Sequence, residues 1–206
     1  MVGPISVAGS FIPTRTTGLR SIASDGSEGN TTDIIAPLDP DKHDQAAFSC
    51  GVEQVDNFFK RTANKLATAD NLRVFVMTRP VDDLIGFYAL NAHAVDYIDL
   101  PTKYSRTRPG HGSIPAAYIS MIGVDGGHQG NGYGGDLLVD GLRRIASAAD
   151  KIGIAVAVLD VLNCGDATKT ARRKALHEGY GFTPMPSHPL RLFMPVATVR
   201  TLLTAS

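Results

Sequence analysis

Residues 128–138 read His-Gln-Gly-Asn-Gly-Tyr-Gly-Gly-Asp-Leu-Leu, a glycine-rich turn that leads from a strand-like segment into an amphipathic one. The first backbone N–H groups of a helix have no partner inside it, and the helix dipole favours negative charge at the same end. Glycine lets the backbone approach an anion closely and adopt dihedral angles that a Cβ atom would penalise. The turn therefore predicts a backbone site for an anion, of a size that suits a pyrophosphate.

Two common nucleotide motifs do not fit this turn. A phosphate-binding loop of the nucleoside-triphosphatase type requires a lysine and then serine or threonine after its last glycine, and here aspartate and leucines follow. The dinucleotide fingerprint requires Gly-x-Gly-x-x-Gly near the start of a β-α-β unit. The spacing here is Gly-x-Gly-x-Gly-Gly, and most of the chain precedes it. A glycine-rich turn that binds no ligand remains the alternative.

The spacing Gln-x-x-Gly-x-Gly, from Gln129 to Gly134, resembles the pyrophosphate loop of the GCN5-related N-acetyltransferases, which bind acetyl-coenzyme A (acetyl-CoA). Four further segments occur in the family's order, and they are residues 48–51, 86–88, 179–184 and 191–198. Together the segments resemble the bacterial acetyltransferases related to the toxins of toxin–antitoxin pairs, which acetylate the amino group of aminoacyl-tRNA. This resemblance spans about residues 32 to 203.

The resemblance implies a fold, a cosubstrate and partners. The fold is of the α+β or α/β kind, with a mixed, mostly antiparallel central sheet and helices on both faces. Acetyl-CoA is the cosubstrate, and a primary amine is the acceptor. The amino group of aminoacyl-tRNA is the most specific hypothesis for that amine, and a small-molecule or peptide amine is the rival. A small antitoxin-like protein and a second copy of the chain are the implied protein partners.

A third hypothesis treats the chain as a degenerate member that binds the cofactor or a partner without catalysis. The replacement of a tyrosine by His177, described below, motivates it.

The cofactor-binding residues that the resemblance implies lie on the strand before the turn and in the turn itself. The end of the strand binds the pantetheine arm through its backbone, and one N–H group there faces the thioester carbonyl. The turn binds the pyrophosphate through its backbone N–H groups. These residues are Ile122, Gly123, Val124, Gln129, Gly130, Asn131, Gly132, Tyr133, Gly134 and Gly135.

His177 and Tyr180 are the catalytic candidates. Where this chain has His177, the toxins have a tyrosine that serves as general acid near the cofactor sulfur. The segment from Asp160 to Phe182 is also longer than in relatives. An imidazole exchanges protons near neutral pH, and cations one helical turn earlier, at Arg173 and Lys174, would favour its neutral form. The alternatives are a histidine that lines the groove without a proton role and a Tyr180 ring that packs as the motif's aromatic.

The chain has 206 residues, a formal net charge of zero and two cysteines. This length suits one domain, predicted over residues 32–206, and the Ser-, Gly- and Thr-rich residues 1–31 are predicted to be a disordered tail. No apolar run reaches the roughly 18 residues of a membrane span, so a cytoplasmic protein is expected. The zero net charge argues against nucleic acid as a partner, although basic residues cluster at 169–174 and 143–144. Cys50 and Cys164 are expected to be free thiols. The six histidines lack metal-ligand spacing, so no metal is expected.

Hydrophobic periodicity predicts the elements that position these residues. A helix over 52–69 is expected to lie on a sheet that begins with a strand at 32–38, and 73–77 and 84–90 are expected to form a hairpin. A polar loop over 96–114 is placed near the acceptor entrance. The remaining elements are a strand at 116–124, a helix to residue 150, a strand at 152–162, a helix at 166–179, a strand at 190–194 and a helix at 198–203.

Overall fold

The computed structural model describes residues 33–79, 83–105, 110 and 112–204, so the predicted tail, residues 1–31, lies outside the described residues. A seven-stranded sheet runs through this part of the chain in the order β1-β2-β3-β4-β5-β7-β6. Its strands are β1 (Ile34–Pro37), β2 (Arg73–Arg79), β3 (Asp83–Asp96), β4 (Ser113–Val124), β5 (Val156–Asp160), β6 (Thr183–Pro184) and β7 (Arg191–Pro195). β4 and β5 pair in parallel, and the other neighbours are antiparallel.

Helices cover both faces of the sheet. They are α1 (Glu53–Asn57), α2 (Ala63–Thr68), α3 (Thr102–Ser105), α4 (Tyr133–Ala149), α5 (Ala167–Gly179) and α6 (Val196–Thr204). Successive side chains of a strand point to opposite faces. On β3, Phe87 packs with residues of α1 and α2, whereas the next residue, Tyr88, packs with Leu137 of α4. The mixed, mostly antiparallel sheet with helices on both faces confirms the fold predicted from the sequence.

β4 and β5 separate before β4 ends. Their paired residues run from Ala116 and Val156 to Ile119 and Leu159, while β4 continues to Val124. The register of β4 with β3 shifts at the same level, which leaves Ser120 as an extra residue in β4. Such a bulge bends a strand and strengthens its twist. We call the resulting opening, between residues 120–124 of β4 and residues 160–164 after the paired part of β5, the fork.

Several element boundaries differ from the predicted ones. β3 continues to Asp96 and pairs there with Ser113, so most of the predicted loop at 96–114 is flanked by paired strands. The predicted strand at 152–162 is shorter, since β5 begins at Val156 and Ile152 is 63% exposed. Residues 58–62, between α1 and α2, form a π-helical turn that hydrophobic periodicity does not reveal.

Gly86 of β3 lies where α4 crosses the sheet. A Cβ atom at this position would lie 2.7 Å from the carbonyl oxygen of Gly123 and 2.8 Å from Cδ1 of Leu137. A backbone oxygen in a paired strand cannot easily move, so Gly86→Ala is expected to lower the free energy of unfolding by about 1–3 kcal/mol. Urea denaturation measures this. The control is Gly153→Ala, where nothing lies within 4 Å of the new Cβ; equal stability of the two variants would contradict the prediction.

Candidate active site

The glycine-rich turn has the backbone that the sequence predicts. Gly130 and Gly132 have φ angles of +85° and +90°, a region that side chains other than glycine rarely adopt. Nothing lies within 4 Å of the place where a Cβ atom would stand at either residue. Gly132 is the N-cap of α4, which begins at Tyr133. The turn is therefore open at the helix N-terminus, where an anion would be bound.

The backbone N–H groups of this turn are available for a ligand. None of those from Gln129 to Gly134 donates a hydrogen bond to another described residue, whereas that of Gly135 donates to the carbonyl oxygen of Gly132 at 2.8 Å. Consecutive unpartnered N–H groups in a turn of this type form a concave site for anions. The turn offers such a site without any charged side chain.

The side chains of the turn hold its shape. The side-chain nitrogen Nε2 of Gln129 donates to the carbonyl oxygens of Cys50 and Val124, at 2.9 and 3.0 Å. Nδ2 of Asn131 donates to the carbonyl oxygen of His128 at 3.0 Å. Because these amides point back into the protein, the backbone remains the part of the turn that a ligand can reach.

His128 and Tyr133 turn their rings towards the β2–β3 hairpin. Nε2 of His128 lies 3.1 Å from a carboxylate oxygen of Asp83, and Nη2 of Arg79 donates to the hydroxyl of Tyr133 at 2.5 Å. Arg79 also pairs with Asp33 at 3.1 Å. These side chains are held by one another, so the contribution of Tyr133 to an anion site is its backbone N–H.

Ile122, Gly123 and Val124 form the β4 side of the fork. The side chains of Ile122 and Val124 pack with Leu137 under α4. A Cβ atom at Gly123 would lie 3.0 Å from Cγ1 of Val55, so α1 approaches the strand closely on the other face. Backbone groups of a strand alternate between its two neighbours, and beyond Ile119 those that point towards β5 have no strand partner. An extended ligand can therefore pair with this edge.

A surface groove crosses the end of the fork. It lies between the start of α1 and the loop that joins β5 to α5. Its lining residues are Gly51, Val52, Glu53, Gln54, Asn163 and Cys164. Both cysteines are free, as expected. Burial raises the pKa of the Cys50 thiol to about 12, and the exposed Cys164 lies 3.5 Å from Nη1 of Arg173.

His177 is 8% exposed, and its Nδ1 atom has no hydrogen-bond partner among the described residues. Its ring meets the ring of Phe182 edge-on at 6.3 Å. Burial lowers the pKa of His177, which keeps the imidazole neutral. The sequence predicted a neutral imidazole for the wrong reason. Lys174 pairs with Glu178 at 2.5 Å, and Arg173 donates to the carbonyl oxygen of Leu162 at 3.3 Å, so burial is the cause.

Tyr180 brings its hydroxyl to the start of α4. A Cβ atom at Gly135 would lie 2.1 Å from that oxygen, so only glycine leaves room for it. Burial, and then the charge of Asp136, raise the pKa of the Tyr180 hydroxyl, which is therefore protonated at neutral pH. The ring also packs against the core beneath α4. Of the two predicted catalytic residues, Tyr180 is the one placed against the glycine-rich turn.

The buried His177 predicts a pH dependence of stability. Because its pKa is lowered in the folded chain, the unfolded chain binds a proton here at higher pH than the folded chain does. The free energy of unfolding should therefore fall as the pH drops below the ordinary histidine value of about 6.5. We expect the melting temperature to fall less for His177→Phe than for the wild type between about pH 7.5 and about pH 5.5. Calorimetry measures this, and equal shifts would show that another group is responsible.

Three side chains that sequence patterns do not associate meet at the base of the fork. The Tyr118 hydroxyl donates to Oδ2 of Asp160 at 2.8 Å, and Nε and Nη2 of Arg191 donate to the two carboxylate oxygens at 2.7 and 2.8 Å. We call these three residues the clasp. They come from β4, β5 and β7 and are separated by 42 and 31 positions, so no local spacing announces them.

Three of the six residues in the predicted basic clusters form ion pairs, and they are Lys169, Lys174 and Arg144. Lys169 lies 3.6 Å from Asp166. Arg144 pairs with Asp140 at 2.8 Å and stacks 4.0 Å above the ring of Phe75. An exposed pair such as Lys169–Asp166 is screened by solvent and contributes little to stability, whereas the Arg144–Asp140 pair is partly buried. In the described residues no group of three or more histidine, cysteine, aspartate or glutamate side chains could hold a metal ion, and no helix is long and apolar enough to cross a membrane.

Known proteins are similar to this chain in sequence and in fold. A relative described as probable toxin TacT, from Sinorhizobium fredii (strain NBRC 101917 / NGR234), is 66% identical over 173 residues, which cover 82% of this chain and 94% of the relative. A tRNA-acetylating toxin from Mycobacterium tuberculosis (strain ATCC 25618 / H37Rv) is 29% identical over 163 residues, 79% of this chain and 92% of the relative. The solved structure of AtaT complexed with acetyl-methionyl-tRNAfMet has a TM-score of 0.73 and 22% identity, over 84% of this chain and 99% of that chain. No protein-family model matches the chain.

The chain belongs to the toxin-type GCN5-related N-acetyltransferases. The resemblance drawn from the sequence is thereby confirmed, together with the class of enzyme, an N-acetyltransferase. The match to AtaT shows the shared fold.

Proposed function

We propose that this chain transfers the acetyl group of acetyl-CoA to the α-amino group of an aminoacyl-tRNA and acts as the toxin of a toxin–antitoxin pair. The observation that carries the proposal is the combination of an open N–H turn with a fork beside it, in a chain 66% identical to a probable toxin. The acceptor places the reaction in the cytoplasm. We further propose that residues 32–206 form a single N-acetyltransferase domain, that a small antitoxin protein binds it, and that it forms homodimers.

The proposed position of acetyl-CoA follows from the open backbone groups. Its diphosphate would be bound by the N–H groups of Gln129, Gly130, Asn131, Gly132, Tyr133 and Gly134, at the positive end of α4. Gly135 would leave space for Tyr180 beside them. The pantetheine arm would pair along residues 122–124, which brings the thioester to the bulge at Ser120. A backbone N–H group at that bulge would then face the thioester carbonyl.

The proposed reaction forms one bond and breaks one. The amine nitrogen attacks the acyl carbon, an N–C bond forms, the C–S bond breaks, and the proton lost by the amine ends on the coenzyme A sulfur. Positioning of the two substrates is the main contribution expected of the protein. The amine must reach the thioester from the face opposite α4, where the groove at the end of the fork opens.

Tyr180 and His177 would have different roles. The start of α4 lies beside Val124, since a Cβ atom at Gly134 would be 3.9 Å from its Cγ2. At about 3.3 Å per strand residue, the bulge at Ser120 is roughly 13 Å away. We therefore assign the Tyr180 hydroxyl to the diphosphate end of the cofactor, as a donor. His177 stands where the toxins have their general acid, and its neutral imidazole is a poor acid, so thiolate protonation is expected to be slow.

Acetylation of charged tRNA tests the proposal. Full-length protein would be incubated with radiolabelled acetyl-CoA and either a panel of aminoacyl-tRNAs that includes methionyl-tRNA, uncharged tRNA or a panel of small and peptide amines. Label should enter charged tRNA alone and be released by mild alkali as an N-acetylated amino acid. Label in the small or peptide amines without RNA would favour the rival acceptor. Saturable binding of acetyl-CoA without any turnover would favour a binding protein.

A further inference from the structure

The clasp lies at the point where the fork begins. Tyr118 pairs with Val158, and Asp160 is the second residue after Val158, on the same face of the sheet. Asp160 is thus level with Ser120, the bulge residue of β4. The Tyr118 side chain leans forward to reach it, since its hydroxyl lies 2.8 Å from Oδ2 of Asp160. The phenol oxygen therefore stands over the base of the fork, on the face opposite α4.

The hydrogen bonds of the clasp fix what the Tyr118 hydroxyl can still do. A phenol donates one hydrogen bond and accepts others. Its proton is directed at Asp160, and Arg191 holds both oxygens of that carboxylate in a bidentate pair. Arg191 also interacts with the phenol oxygen itself. The capacity that remains to the Tyr118 oxygen is therefore that of an acceptor. It offers a lone pair to a donor that enters the fork.

The protonation states of the clasp are stable near neutral pH. Burial, and then the hydrogen bond to Asp160, raise the pKa of Tyr118 to about 12. Burial opposes ionisation of Asp160, but the hydrogen bonds from Arg191 and Tyr118 outweigh it and lower the pKa of that carboxyl group. The tyrosine stays a phenol and the aspartate stays a carboxylate. The ring of Tyr118 also lies next to that of His93, with the ring centroids 5.3 Å apart and the planes tilted by 33°.

We propose that the Tyr118 hydroxyl accepts a hydrogen bond from the N–H of the attacking amine and so orients its lone pair towards the acyl carbon. Tyr118 is then a catalytic residue that touches the acceptor, and Asp160 and Arg191 are positioning residues that act through it. The inference rests on the proposed function, since it assigns the amine-binding group of the same site. A nucleophile without an N–H or O–H group gains nothing from this oxygen.

The test compares Tyr118→Phe with the wild type on methionyl-tRNA and acetyl-CoA. Phenylalanine keeps the ring and removes the acceptor oxygen, so kcat/KM for the tRNA should fall about 10- to 30-fold while the Kd for acetyl-CoA changes less than about twofold. Tyr104→Phe is the matched control, since Tyr104 packs on the same core cluster through α3 and lies outside the clasp. It should leave kcat/KM unchanged.

The positioning residues are tested by a double-mutant cycle. Asp160→Asn should lower kcat with little effect on the KM for acetyl-CoA, and the effects of Tyr118→Phe and Asp160→Asn should not add, because both act through one hydroxyl. If the wild type is active and a folded Tyr118→Phe variant is equally active, this inference is overturned and the proposed function is not. Fully additive effects of Tyr118→Phe and Asp160→Asn would have the same consequence. Absence of acetylation of every aminoacyl-tRNA in the panel by the wild type would overturn the proposed function, and this inference with it. Melting temperatures identify a variant that has lost its fold. If Tyr118→Phe does not fold, the loss of kcat in Asp160→Asn tests the inference instead.

Discussion

Gly132→Val is expected to bind acetyl-CoA at least about 100-fold more weakly than the wild-type chain. Gly132 has a φ of +90°, which a β-branched residue strongly disfavours, so the turn should rearrange and re-aim its N–H groups. A hydrogen bond to a charged group contributes about 1.5–3 kcal/mol, and the loss of two such bonds corresponds to a hundredfold or more. Isothermal titration calorimetry with acetyl-CoA measures this effect.

Gly165→Val provides a matched control for the backbone strain. Gly165 has a φ of +76° and nothing within 4 Å of its Cβ position, so valine there meets the same penalty in equally open space. It lies in the loop between β5 and α5, outside the glycine-rich turn. The two variants should lose similar stability, and only Gly132→Val should lose affinity. Equal Kd values for both would show that the turn does not bind the diphosphate.

The glycine-rich turn could be predicted from the sequence because its requirement is local. The backbone has positive φ at Gly130 and Gly132, and a helix begins directly after them. Both features depend on the types of consecutive residues, which the sequence shows. The same holds for α4 and α5, whose apolar spacing and terminal residues set their bounds within a residue or two of the prediction. Here local chemistry and the final structure agree.

The clasp and the fork could not be predicted in this way. They depend on which strands become neighbours, and Tyr118, Asp160 and Arg191 meet only because β4, β5 and β7 lie side by side. The end of the β4–β5 pairing and the bulge at Ser120 are also properties of the assembled sheet. Sheet pairing likewise decides the length of β3, because β4 supplies partners for residues whose own propensities favour a loop.

The environment of His177 likewise combines a feature that the sequence predicts with one that only the folded structure shows. Its sequence neighbours Arg173 and Lys174 suggested an electrostatic effect, but both are occupied by other partners. Burial next to Phe182 is what keeps the imidazole neutral, and that contact forms only when the end of α5 folds back onto the sheet. A residue type and its spacing therefore identified the position, and the packing decides its chemistry.

His177→Tyr is expected to raise the single-turnover rate of acetyl transfer to charged tRNA by about tenfold or more. General acid catalysis by a positioned side chain contributes roughly 10²- to 10⁴-fold to a rate. We expect only part of that gain, because the protein has not been shaped to position the new hydroxyl. A phenol with an ordinary pKa of about 10 is protonated at neutral pH and can give its proton to the leaving thiolate. Burial keeps His177 neutral. The N–H group of a neutral imidazole is a much weaker acid than a phenol. Single-turnover kinetics, which exclude product release, measure the change.

The variant His177→Phe shows whether residue 177 acts by donating a proton or only by filling its buried site. It fills the same buried site without a proton to give, and its kcat should remain within about threefold of the wild type if His177 contributes no acid catalysis. The rate of His177→Tyr should also decline above about pH 10, as the phenol ionises, whereas the other two proteins lack this decline. A His177→Phe variant with less than a hundredth of wild-type activity would instead make the imidazole itself the proton carrier. A His177→Tyr variant no faster than the wild type would show that thiolate protonation does not limit the reaction, and positioning by the fork would then account for the rate.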